Sequence, residues 1–505
     1  MKLSAILSGV DVVACAADLQ RDISAIVSDS RRATEGSLFL CLDGTRRNGH
    51  RYIGDAVARG AYAAVINEGE SVPEGVPYIA VKDTRHAAAK IWNNRFSDPT
   101  RNMRVIAVTG TNGKTSTAHL LRAILDGAGY KTGIIGTVRC QSLSEEIDLS
   151  GGGELSDTPA AMTTPDPEYL YGAAARMRDA GVEVLILEAT SHALHLGKLD
   201  AIHIDMALFT NLSPEHLDYH GTMEEYLKAK ARLFTLAPSG IVNMDDPYAG
   251  RLMELSPACS FIRCCTDGAW TGEREVTAKC IVTNGAIGVS YVYFSNTAAF
   301  RVRVPIPGRF TVSNTMLAIT AALRLGVDPV TVQESLASFP GVSGRLERVD
   351  LKDAPFSLFI DYAHTPAALE TLLRTMREAR GKGEKITLLF GCGGDRDASK
   401  RPRMGRIASA LSDFVIVTAD NSRTEKTELI IKEILRGIDR EKPHIVIPDR
   451  REAIRYAISE AKPGEILLFA GKGHEKYEIS EGGKHPFDEA GIARAAWEET
   501  LKRTK

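Results

Sequence analysis

The segment Val108-Thr109-Gly110-Thr111-Asn112-Gly113-Lys114-Thr115-Ser116 constrains this chain more than any other stretch. An apolar run, Val105-Ile106-Ala107-Val108, leads into it and reads as a buried strand. A leucine-bearing run from His119 to Leu125 follows and reads as a helix. A glycine-rich turn between strand and helix, closed by Lys and Thr, cradles nucleotide phosphates. Backbone N–H groups point inward, the helix N-terminus adds partial positive charge, Lys114 reaches the outer phosphates and Thr115 can ligate Mg²⁺. The full spacing G-x-x-x-x-G-K-[ST] asks for glycine at 108, where this chain has Val108, so the motif is a shortened variant.

A strand–loop–helix unit of this kind belongs to a sheet covered by helices, and the chain is long enough for several. At 505 residues, a prior of roughly 150 residues per domain predicts about three. Residues 1–100 alternate short apolar runs with helical stretches. Ser37–Leu42 and Ala63–Ile66 read as strands, with a helix over Tyr52–Arg59 between them. The polar segment Asn94–Asn102 reads as a linker. Residues 101–342 carry the phosphate loop and further strands at Val182–Leu187 and Met206–Thr210, which predicts a mostly parallel sheet. The Ser/Gly-rich piece around Leu149–Ser156 reads as a loop. In residues 343–505, strands are expected at Phe356–Ile360, Ile386–Phe390, Phe414–Thr418 and Ile466–Ala470. The fold class is therefore α/β in three domains.

Net charge is -2, which removes the basic field that nucleic-acid binding needs. No apolar run is long enough to span a bilayer and no signal peptide is evident, so a cytoplasmic protein without membrane insertion is expected. The eight cysteines form no C-x-x-C pair, and reduced core thiols are the expectation.

Several motifs follow predicted strands. Glu188 ends one, where a carboxylate near a phosphate loop suits Mg²⁺; the bland alternative is an acid at a helix start. Asn211-Leu212-Ser213-Pro214-Glu215-His216-Leu217-Asp218-Tyr219-His220-Gly221 follows another. Its histidines lack the cysteine set or H-E-x-x-H spacing of a zinc site, so a Mg²⁺ or substrate site fits better. Asp361-Tyr362-Ala363-His364-Thr365-Pro366, Gly391-Cys392-Gly393-Gly394-Asp395-Arg396-Asp397, Asp420-Asn421-Ser422-Arg423 and Gly471-Lys472-Gly473-His474-Glu475 recur at strand ends. Arg396 and Arg423 can hold carboxylates as forks, while Asp420 and Glu475 can hold an ammonium. Together they describe a pocket for a zwitterionic, amino-acid-like molecule. Each one alone reads more readily as a surface salt bridge; four at strand ends in one domain make that reading much weaker.

These residues resemble the Mur ligase family, which adds amino acids to peptidoglycan precursors. Gly110-Thr111-Asn112-Gly113-Lys114-Thr115 is similar to that family's ATP loop, Val108 included. So are the run from His216 to Tyr226, Asp29-Ser30-Arg31 with Gly36-Ser37-Leu38-Phe39, Asp361–Pro366 and Gly471–Glu475. The resemblance implies an N-terminal UDP-sugar-binding domain, a central ATP-binding domain with a P-loop-type sheet and a C-terminal Rossmann-like amino-acid-binding domain.

It also implies a reaction: ATP phosphorylates a carboxylate of UDP-N-acetylmuramoyl-L-alanyl-D-glutamate, and the amine of a diamino acid displaces phosphate. Implied residues follow position by position. Lys114, Glu188, His216 and Lys230 are catalytic. Thr115, Glu188, His216 and Lys230, the last carbamylated, ligate Mg²⁺. The loop Gly110, Thr111, Asn112, Gly113, Lys114, Thr115 and Ser116, with Asn314 and Arg345, binds ATP. Ser30, Thr163, Thr164, Thr190 and Lys198 bind the UDP substrate. Arg396, Asp420, Asn421, Ser422, Arg423, Gly471 and Glu475 bind the amino acid.

Three departures matter. Leu196 stands where the family often has Gln, Lys198 where it has Arg, and Ser422 where its D-N-P-R motif has Pro, which predicts a looser loop. Diaminopimelate is the expected amino acid, with lysine and ornithine as alternatives. A monomer is expected. A folylpolyglutamate synthetase or a nucleotide-binding regulator are the alternatives to the ligase. Lys230 itself reads equally as a helix-surface lysine, since Lys228 lies beside it in a charged stretch.

Overall fold

The computed structural model describes residues 1–43, 48–137, 140–142, 145–146, 162–266, 272 and 274–504. The chain divides into two compact units, one of Met1–Cys264 with Thr320–Leu325 and one of Cys265–Ile319 with Gly326–Lys505. The loop expected around Leu149–Ser156 lies outside the described residues.

The first unit opens with a five-stranded sheet, Val12–Cys15, Tyr78–Val81, Ala63–Asn67, Leu38–Leu40 and Ile26–Val27 in spatial order. The helix Thr84–Arg95 closes this region and extends two residues, Asn94 and Arg95, into the stretch expected to be linker. Asp83 starts it by accepting from the N–H groups of Arg85 and His86.

A parallel sheet follows. Its central strand, Arg104–Thr109, lies between Val184–Glu188 and Met206–Phe209, with Thr132–Ile135, Ser239–Asn243 and Ser260–Thr266 further out. Helices cover both faces, so these strands are near-continuous apolar runs. In register, Glu188 pairs with Val108 and Phe209 with Thr109. Three strands therefore end together, and the chain continues beyond them into Gly110, Ala189 and Thr210. The order in space, with later strands on both sides of Arg104–Thr109, makes this a topological switch point, where open α/β sheets bind ligands.

The helix Lys114–Gly127 buries Ala118, Leu121 and Leu125 on one stripe. It ends because Gly129 takes φ +83, a left-handed cap that an L side chain rarely adopts, and Tyr130 N–H then closes onto Leu125 O at 3.0 Å.

The second unit holds a six-stranded sheet in the order Glu347–Val349, Ser357–Asp361, Ile466–Ala470, Ile386–Phe390, Phe414–Val417, His444–Val446, parallel except for the first strand. All four strands expected here are present within a residue of their predicted ends. The antiparallel strands Glu275–Thr283, Val289–Phe294 and Ala299–Val304 were not expected. Their patterns are mixed: Glu275–Thr283 buries Val276, Thr277 and Ala278 in succession and is more exposed beyond them, and Val289–Phe294 is apolar on both faces except at Ser290, so neither reads as a clean alternation. No helix among the described residues is long and apolar enough to cross a membrane.

Candidate active site

The phosphate loop is held from two sides. Gly110 takes φ +149, and a Cβ there would stand 1.8 Å from Thr210 Oγ1, so only glycine lets the segments approach. The turn after Phe209 straps the loop: Thr111 N–H donates to Asn211 O at 2.8 Å, Asn112 N–H to Asn211 Oδ1 at 3.0 Å, and Thr210 Oγ1 to Asn112 O at 2.6 Å. Gly113, left-handed at φ +84, caps the helix that begins with Lys114. The Lys114 ammonium donates to Gly110 O and Thr111 O, both at 2.9 Å.

Glu188 is fully buried. Three donors hold its carboxylate: Thr115 Oγ1 at 2.8 Å, Thr137 N–H at 3.0 Å and Thr137 Oγ1 at 3.1 Å. The strand position removes the helix-start alternative. Thr164 Oγ1 donates to Glu188 O at 2.7 Å and accepts Thr190 N–H at 3.0 Å, while Thr163 Oγ1 shares a hydrogen bond of 2.9 Å with Thr137. Thr163, Thr164 and Thr190 therefore sit directly against the Glu188 cluster. Thr137 was missed because the short strand Thr132–Ile135 before it carries little apolar signal of its own. Gly136 packs closely on this carboxylate: an added Cβ would stand 2.1 Å from Glu188 Oε1. Gly136→Ala is expected to cost about 1–3 kcal/mol, read as a lower denaturation midpoint; an unchanged midpoint would show that the carboxylate has room to move.

Lys230 lies on the helix Met223–Leu236. Lys228 is exposed and pairs with Glu225 at 2.8 Å, but Lys230 is only 2% exposed. Its ammonium donates to Gly110 O at 2.8 Å, the carbonyl that also receives Lys114, and stands 4.5 Å above the Tyr226 ring. Burial, then the nearby Lys114 charge, holds its pKa well below the usual lysine range.

His216 takes φ +57 at the start of the helix Leu217–His220. Its ring meets His192 edge-on at 4.9 Å and lies 6.2 Å from Tyr226. Burial first, then neighbouring histidine charges, pushes His192 and His220 down to about 4. Among the described residues no group of three or more His, Cys, Asp or Glu side chains is arranged to hold a metal, which leaves the zinc reading without support. The Thr115 hydroxyl and the Glu188 carboxylate are hard oxygen donors beside a phosphate loop, a set that fits Mg²⁺.

Ser30 is buried in the turn Ser30–Arg32 that Asp29 caps. Lys198 is 7% exposed and pairs with Asp166 at 2.6 Å, just beyond Thr164 in sequence. Asn314 is buried on the helix Arg309–Arg324 of the second unit. Arg345 lies over the Tyr362 ring at 5.0 Å with a buried Nε that has no hydrogen-bond partner.

The amino-acid-type loops of the second unit converge. Asn421 Nδ2 donates to Glu475 Oε2 at 2.7 Å. Arg423 takes φ +52 and donates from Nη1 to Gly394 O at 2.8 Å. A Cβ on Gly393 would lie 2.9 Å from Arg423 Nη1 and 4.0 Å from Arg396 Cγ, so both arginines flank that glycine. Arg396 itself is exposed. Gly471, at φ +114, gives Asp420 room: a Cβ there would stand 2.9 Å from Asp420 Oδ2. The loss of stiffness expected from Ser422 in place of Pro is offset by hydrogen bonds. Gly394 N–H donates to Asn421 O at 2.9 Å, Arg423 N–H to Ile479 O at 3.0 Å and Glu425 N–H to Ser422 O at 3.0 Å.

Comparison with known proteins gives three family matches along the chain: the Mur ligase family catalytic domain over residues 22–96, the Mur ligase middle domain over 108–322 and the Mur ligase glutamate ligase domain over 344–473. The chain is 40% identical to the UDP-N-acetylmuramoyl-L-alanyl-D-glutamate–2,6-diaminopimelate ligase of Clostridioides difficile (strain 630), covering 98% of this chain and 99% of that protein. A solved structure of a ligase of the same description is 29% identical with a TM-score of 0.70, covering 99% of both chains. A folylpolyglutamate synthase from Mycobacterium tuberculosis is 20% identical, with a TM-score of 0.60 over 82% of this chain and 95% of its own, a likeness of fold alone.

Proposed function

Since the chain belongs to the Mur ligase family, we infer that it is an ATP-dependent, amide-forming ligase of peptidoglycan synthesis, joining diaminopimelate to UDP-N-acetylmuramoyl-L-alanyl-D-glutamate. The observation that carries the chemistry is the meeting of two lysines, Lys114 and Lys230, on the Gly110 carbonyl beside the Thr115–Glu188 contact. The Lys114 ammonium and the helix N-terminus supply positive charge for the two anions of such a reaction, the ATP γ-phosphate and the substrate carboxylate, while Lys230, once carbamylated, would serve the metal instead.

The carboxylate oxygen attacks the γ-phosphorus and ADP leaves, giving an acyl phosphate. The amine of diaminopimelate then attacks the acyl carbon, phosphate leaves and the amine loses a proton. Lys114 exchanges its backbone carbonyls for phosphate oxygens, and the N–H groups at the helix start, from Gly113 to Ser116, cradle the remainder, those of Thr111 and Asn112 being held by Asn211. Asn314 and Arg345 are assigned to the nucleotide by the family resemblance, and the Arg345 Nε has no hydrogen-bond partner of its own. Thr115, Glu188, His216 and a carbamylated Lys230 are the residues that would hold Mg²⁺, which supplies charge neutralisation when bound.

Ser30, Thr163, Thr164, Thr190 and Lys198 bind the UDP substrate, and the threonines' contacts to Glu188 support that assignment. Arg396, Asp420, Asn421, Ser422, Arg423, Gly471 and Glu475 receive the amino acid. Residues 1–100, 101–342 and 343–505 are the corresponding modules. A single chain carries every group required, so a monomer suffices, working in the cytoplasm where ATP and UDP-linked precursors are available.

ADP release that requires both the UDP-dipeptide and diaminopimelate is the expected result in a coupled assay. ADP release on ATP alone would instead favour a nucleotide-binding regulator, and release with a folate and glutamate the synthetase alternative.

A further inference from the structure

Lys472 is completely buried, and the phosphate-loop chemistry makes no use of it. Its ammonium donates to Asn421 Oδ1 at 2.9 Å and to Tyr477 O at 3.1 Å, lies 3.8 Å from Asp420 Oδ1, and stands 5.2 Å over the Phe487 ring. The same Asn421 atom receives Ile479 N–H at 2.9 Å. An ammonium and a backbone amide only donate here, so the Asn421 atom between them has to be the oxygen. That leaves Nδ2 on the other side of the amide, where it meets Glu475 Oε2 at 2.7 Å. With the amide reversed, two oxygens would face each other across that distance.

We propose that Lys472 is a positioning residue that sets amino-acid specificity: it locks the Asn421 amide so that Nδ2 holds Glu475 Oε2, leaving Oε1 to receive an ammonium of the incoming diamino acid. Glu475 Oε1 has no hydrogen-bond partner among the described residues. Burial raises the Glu475 pKa and the Asn421 hydrogen bond opposes that rise, so the lock also favours the charged form an ammonium needs. The inference rests on the amino-acid site proposed above.

The stems of both loops are secured separately. Arg450, fully buried and paired with Glu489 at 2.7 Å, donates to Ala419 O and Ala470 O at 3.0 Å each, the residues just before Asp420 and Gly471. Removing the Lys472 ammonium therefore leaves the Asn421 oxygen with Ile479 N–H as its remaining donor, which weakens the lock without releasing the loop stems.

The test uses the full-length enzyme with ATP, the UDP-dipeptide and diaminopimelate. Lys472→Met keeps the buried stem and removes the donor. Its KM for diaminopimelate is expected to rise about tenfold or more, with the KM values for ATP and the UDP-dipeptide unchanged. The acidic limb of kcat/KM for diaminopimelate is expected to move to higher pH, because Glu475 loses the donor that favours its charged form. Lys472→Arg is expected to recover part of the loss. Asn421→Asp provides a second arm should Lys472→Met fail to fold: its carboxylate still accepts from Lys472 and Ile479 but sets a like charge against Glu475 Oε2 in place of the amide donor, and the same diaminopimelate-selective rise is expected. An unchanged KM for diaminopimelate, or an equal rise for all three substrates, overturns the lock. If the wild-type enzyme releases no ADP on adding diaminopimelate, the site assignment itself has failed, which is a distinct result.

Discussion

Replacing Lys230 with alanine should lower kcat by a factor on the order of 10²–10³, the usual cost of removing one group that stabilises charge in a transition state. Short carboxylic acids such as formate or acetate should restore part of it. The reason lies in how the lysine is held. It is 2% exposed, within 2.8 Å of Gly110 O, and shares that carbonyl with the Lys114 ammonium. Burial penalises the charged form of Lys230 and the Lys114 cation repels it, so its pKa falls well below the usual lysine range and the neutral amine is favoured. A neutral amine adds to CO₂ and loses a proton to give a carbamate, turning a repelling cation into an anion beside Lys114. Wild-type enzyme equilibrated with ¹³CO₂ should therefore show a carbamate carbon resonance that Lys230→Ala lacks. Full activity in Lys230→Ala, or no carbamate signal in active wild-type enzyme, would sink this account.

The second large effect concerns the choice of amino acid. Arg423→Ala is expected to lower kcat/KM for diaminopimelate by about 2–5 kcal/mol in free-energy terms, ~30-fold or more, the range for losing one partner of a desolvated charge pair. Turnover of L-lysine or L-ornithine, which lack the distal carboxylate, should hardly change, so the ratio of the two activities is the informative quantity. Arg423 is held ready for this role. Its backbone sits in the left-handed region at φ +52, its N–H is tied to Ile479 O, and one guanidinium nitrogen is anchored to Gly394 O at 2.8 Å. A non-glycine residue in that conformation is costly, and such strain collects where a side chain must be aimed. Arg423→Lys should rescue poorly, because an ammonium cannot grip a carboxylate with two parallel bonds. Equal losses for diaminopimelate and lysine would remove Arg423 from carboxylate recognition.

Much of this site was legible in the chain itself. The loop at Gly110–Ser116, the carboxylate Glu188 and the polar clusters after Asp361, Gly391, Asp420 and Gly471 all stand at the ends of apolar runs, and those runs are strands within a residue or so of where their periodicity put them. Period and turn chemistry are local properties, so residues a few positions apart carry them. The antiparallel strands between 275 and 304 were not legible, because the buried positions of Glu275–Thr283 run together and do not alternate with exposed ones. Thr137 and Lys472 were passed over for a different reason: a threonine after a short strand, and a lysine in a glycine-rich run, look like many others.

Sequence alone therefore determined that this is an α/β ligase-type chain and which glycines and charged residues gather at the ends of its strands. Tertiary structure decided what each of those charges does. Lys228 and Lys230 are two positions apart on one helix, yet one pairs with Glu225 in solvent and the other is buried against Gly110. Ser422 stands in place of a stiffening proline, yet its loop is held by Gly394 and Ile479, residues distant along the chain. Burial and hydrogen-bond partners at long sequence separation set pKa, orientation and rigidity, and no local pattern encodes them.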